Sequence, residues 1–152
     1  MAWATETLAE AADVRERYKR VAEICESEST PVQDAEIEGF IAKSKAYIGR
    51  KLDVIILSRY ADKEFSAADS KDLITNPAIL KNACVAWTLK LMFENVELNE
   101  GDYNSVKKQD FEKEFKEEFA ISSALLKFDE DEGAESDVQK RLGLAENVFY
   151  RT

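Results

Sequence analysis

A chain of 152 residues, 45% of them hydrophobic and 34% charged, is one domain's worth of an ordinary globular mix. Five glycines and two prolines argue against an all-β chain built on many tight turns. The net charge of −10 argues against a surface made to grip nucleic acid, because phosphate binding relies on Lys and Arg releasing counterions.

The charge is uneven. Residues 110–137 hold eleven acids against three bases, whereas residues 138–152 hold Lys140, Arg141 and Arg151 against Glu146. Residues 1–30 are charged throughout, so no signal peptide is expected. The longest apolar run, Ala83–Phe93, is interrupted by Lys90 and too short to span a membrane. Cys25 and Cys84 each sit in a helical apolar pattern and are expected to be buried, reduced thiols of a cytoplasmic chain.

The elements follow in order. Leu8, Ala11, Ala12, Val14, Tyr18, Val21 and Cys25 recur at mostly helical spacings and predict a first amphipathic helix over about 5–26. Thr30-Pro31-Val32-Gln33 combines an N-cap, a first-turn proline and a capping-box Gln. It predicts a second helix whose Ile37, Phe40, Ile41, Ser44, Tyr47, Ile48, Lys51, Leu52 and Ile55 trace one face to about Leu57. Residues 58–76 read as a long connection, with Tyr60 and Phe65 available for partner contact. Asn76-Pro77 predicts a third helix to about Asn95, apolar around nearly its whole circumference and therefore central. Asn99-Glu100-Gly101-Asp102 is a turn. A fourth helix, 102–127, carries the stripe Tyr103, Val106, Phe111, Phe115, Phe119, Ser122 and Leu126, with an acidic outer face. The expected fold is all-α: a bundle of about four helices over residues 1–137, then an extended C-terminal arm over 138–152.

No chemistry stands out. The chain has no histidine, which removes Ser-His-Asp and Cys-His catalysis and His-based metal sites. Its glycines are isolated, so no phosphate loop forms. The acidic run Asp129-Glu130-Asp131-Glu132-Gly133 fails as an EF-hand loop: glycine falls at the fifth position and Lys140 at the twelfth. No enzyme activity, cofactor or metal is expected.

One resemblance concerns the order of parts. Asp34-x-x-Ile37-x-x-Phe40-Ile41 opens a helix that runs to Leu52. Leu73-Ile74-Thr75-Asn76-Pro77-Ala78-Ile79-Leu80-Lys81-Asn82-Ala83 follows a polar connection. The last long helix ends in Leu125-Leu126-Lys127-Phe128 and the acidic turn 129–133. This resembles the head–tail connector, or adaptor, proteins of tailed bacteriophages, over roughly residues 30–135. The resemblance implies a structural virion protein at the neck, made in the bacterial cytoplasm, that assembles as a ring of commonly twelve copies beneath the portal. Such a ring extends the DNA channel, lets DNA pass without sequence-specific binding and receives the next neck or tail component.

Carried onto this chain, the resemblance makes Leu142, Leu144, Val148, Phe149, Tyr150 and Arg151 portal contacts, and Tyr60 and Phe65 contacts to a ring neighbour or the distal neck. Glu117, Glu118, Asp129 and Asp131 become the acids facing the channel. The competing expectation is a cytoplasmic helical interaction or regulatory module that forms a small homo-oligomer.

Overall fold

The structure is a computed structural model and describes residues 2–24, 30–59, 71–97 and 101–127. Within these residues the fold is all-α. Four helices occur, α1 (Ala11–Arg17), α2 (Asp34–Arg59), α3 (Lys81–Val96) and α4 (Tyr103–Ala124), with short 3₁₀ turns at Trp3–Thr5, Val21–Glu23 and Pro77–Leu80. Of the expected connection 58–76, residues 60–70 lie outside the described residues, as do Cys25 and everything after Lys127.

The centre of the molecule is α3. Seven consecutive residues, Ala83 to Leu89, are buried, followed by Met92, Phe93 and Val96. A helix covered on all sides needs neighbours on each flank, and α1, α2 and α4 supply them. Phe93 stacks on Phe111, Trp87 packs 4.9 Å from Phe115, and the Ser122 hydroxyl donates to the Ile79 carbonyl at 2.8 Å. These pairings descend one helix while climbing the other, so α3 and α4 are antiparallel. Ser44 meets Thr88 at 2.9 Å and Tyr47 stacks on Trp87 at 3.9 Å, so α2 also runs against α3. It follows that α2 and α4 are parallel, with Tyr47 near Phe115 and the groove further along α2 closed by Phe119.

The expected first helix is broken into pieces. Leu8, Ala11, Val14 and Val21 are buried as their spacing predicts, whereas Ala12, expected on the same face, is exposed. The backbone is interrupted because tertiary partners outcompete the helix. Asp13 accepts the Glu10 amide at 2.8 Å and starts α1 late. Tyr18 leaves helical geometry and sets its ring edge-on to Phe93 and Phe111.

The second helix starts at Asp34, after the expected Thr30–Pro31 cap. The Val32 amide donates to the Ala22 carbonyl at 3.1 Å, Val32 is buried, and the Arg15 guanidinium holds Asp34 at 2.8 Å and the Val32 carbonyl at 3.4 Å. Those bonds draw residues 31–33 out of the helix. Between α3 and α4 the turn uses Gly101 at φ +89°, a conformation that strains any side chain with a Cβ. The Asp102 carboxylate then caps α4 by accepting the Ser105 amide at 2.7 Å.

Candidate functional site

Asn76 is the most consequential polar residue in the described fold. Its backbone opens the Pro77–Leu80 turn, as the Asn-Pro pair predicts, but its side chain does not cap that turn. Instead Nδ2 donates to the Leu125 carbonyl at 2.9 Å, and Oδ1 accepts the Lys127 amide at 2.7 Å. Beside it the Thr75 amide donates to the Lys127 carbonyl at 2.9 Å. The last carbonyls of a helix lack intrahelical partners, and here the segment before α3 supplies them. The point where the chain leaves α4 is thereby fixed to the core. The sequence signal was ambiguous, since Asn before Pro-x-x reads as a cap and nothing local announces a bond 49 residues away.

Of the clefts that border α4, two lie along its middle turns. The first, of about 390 Å³, lies among α1, the start of α3 and α4, and includes Glu118. Asp13 pairs with Lys81 at 2.9 Å, and Arg17 pairs with Glu114 while its guanidinium lies 5.2 Å from the centre of the Phe111 ring. The Glu10 amide, then Lys81, hold the Asp13 carboxyl below its ordinary value, and Asp13 in turn raises Lys81. The second cleft, of about 310 Å³, is an apolar groove between α2 and α4. Tyr47, Val54, Ile55 and Phe119 line it, with Arg50 and Lys51 at its edge.

The electrostatics do not favour acid–base or nucleophilic chemistry in the described residues. Burial pushes the Cys84 thiol up to about 12, and burial together with the Tyr103 hydroxyl at 2.8 Å pushes Tyr18 up to about 12. Ion pairs raise Arg20 and Lys108. Every displaced group moves away from neutrality, the opposite of what a general acid or base needs. Among the described residues no three Asp, Glu or Cys side chains converge to hold a metal, and no helix is long and apolar enough to cross a membrane.

Of the residues singled out from the sequence, Glu117 is exposed on the outer face of α4 and Glu118 is half-buried at the first cleft. Tyr60, Phe65, Asp129, Asp131, Leu142, Leu144, Val148, Phe149, Tyr150 and Arg151 lie outside the described residues. Comparison with protein-family models, curated proteins and solved structures gives no match. The functional reading therefore rests on the chain itself.

Proposed function

We propose that this chain is a structural adaptor of a tailed-phage neck, a ring-forming connector that sits under the portal, extends the DNA channel and joins head to neck or tail. The observation that carries the reading is the clamp of Thr75 and Asn76 on the end of α4. It ties the end of α4 to the segment before α3, as a part that transmits load between two partners requires. The excess of acids over residues 110–137, eleven against three bases, supports a channel wall past which DNA slides without sticking, because like charge repels the phosphates. Glu118, Asp129 and Asp131 are the proposed channel acids, whereas Glu117, expected beside them, is assigned below to a contact between copies. Leu142, Leu144, Val148, Phe149, Tyr150 and Arg151 are the proposed portal contacts, with aromatic and Arg side chains of the kind that dominate interface energy. Tyr60 and Phe65 are proposed to meet a ring neighbour or the distal neck.

The arm's role is tested by deleting residues 138–152 and measuring portal binding by co-sedimentation. The expected result is loss of portal binding with helical circular dichroism retained. Portal binding at the level of the full chain, with the fold intact, would refute the assignment.

A further inference from the structure

The faces of α2 and α4 turned away from the core match each other in chemistry. On α2, Lys43, Arg50, Val54 and Leu57 fall at steps of seven, four and three, which places them on one strip of a helix. On α4 and its C-terminal cap, Asp110, Glu117, Ile121 and Leu125 fall at steps of seven, four and four. All eight residues are exposed, and the apolar members are unusually so: Val54 67%, Leu57 52%, Ile121 59% and Leu125 59%. Each strip therefore begins charged and ends apolar in the direction of its helix.

The charges are opposite. From Lys43 to Lys51, α2 carries four bases and no acid; from Asp110 to Glu118, α4 carries five acids and two bases, Lys113 and Lys116. Within the described structure Lys43 and Arg50 meet only aromatic faces, Phe40 at 5.3 Å and Tyr47 at 5.9 Å.

We infer that these strips bind one another between copies, α2 of one molecule against α4 of the next. The partner is a second copy of this chain, and the reason is complementarity in both charge and order. Since α2 and α4 are parallel within one molecule, a neighbour rotated about an axis alongside the helices keeps them parallel across the contact. Lys43 and Arg50 then face Asp110 and Glu117, while Val54 and Leu57 face Ile121 and Leu125. Two different surfaces meet, so the contact is heterologous: each copy retains a free strip, and assembly continues until the rotation closes. The inference deepens the oligomeric part of the adaptor reading, yet it stands on the two strips alone. Absence of the chain from virions would end the adaptor reading and leave this contact intact.

The test uses the full chain by sedimentation velocity over a wide concentration range, with Arg50→Glu, Glu117→Arg and an equimolar mixture of the two variants. Both sites are exposed, and circular dichroism checks that each variant folds. The wild type is expected to associate beyond a dimer, more weakly as salt rises. Each single reversal is expected to weaken association by about tenfold or more, by setting like charges opposite each other. The mixture is expected to recover association beyond a dimer by alternating the two variants, because one mixed contact keeps the native pair of Arg50 and Glu117 and the other reverses both of its charges together. A wild type that stays monomeric throughout, reversals that associate as the wild type does, or a mixture no different from its components would each overturn the inference.

Discussion

Asp13 is placed where three interactions converge. It accepts the Glu10 amide, pairs with Lys81 and borders the cleft beside Glu118. Its carboxyl is held below the ordinary value of 3.8, the Glu10 amide being the larger cause. A depressed carboxyl contributes stability that is present above the unfolded-state pKa and is lost as pH falls through the folded one. The wild type should therefore lose stability on acidification below about pH 4 more steeply than Asp13→Asn. Urea midpoints taken from neutrality down through the carboxylate range check this; parallel curves would show that Asp13 carries no linkage. Asn76 makes a different prediction at the same scale. Asn76→Ala removes two hydrogen bonds to the end of α4 at a half-exposed site, where water replaces part of the loss. The expected cost is about 1–2 kcal/mol by urea denaturation. Amide exchange should also accelerate at Lys127, whose N–H donates to Asn76.

The decisive contact between elements is the aromatic layer joining α2, α3 and α4. Trp87 lies flat on Tyr47 with planes 2° apart and tilts against Phe115, which stacks on Phe119 at 5.3 Å. Trp87→Ala is expected to cost about 3–5 kcal/mol in chemical denaturation, since the cavity lies where three helices meet. A loss within surface-mutation range would place the core elsewhere.

The central position of α3 was legible in the sequence, because an apolar run from Ala83 to Phe93 has no polar face to show to water. The aromatic stripe of α4 was legible for the same reason of period. The first segment was not: Leu8, Val14 and Val21 keep a helical rhythm, but Tyr18 and Asp13 answer to partners on α3 and α4, and periodicity carries no information about such bonds. Likewise Thr30-Pro31 is a sound local start signal that lost to Val32 pairing with Ala22. The Asn76 clamp and the matched strips of α2 and α4 depend on which helices are parallel, something only the fold supplies.

At the scale of the whole molecule, a buried helix lies between two parallel ones, with strips of opposite charge on those two and the end of α4 fixed by Thr75 and Asn76. These features suit a part that repeats around an axis and holds partners above and below. The central claim is that such a ring resides in the particle. The most direct measurement is quantitative mass spectrometry of this chain in purified, DNA-filled virions from its source, relative to the capsid protein. The account predicts a low, fixed copy number equal to one ring per particle. Absence from particles despite clear expression in infected cells would contradict it and leave a helical interaction module in its place.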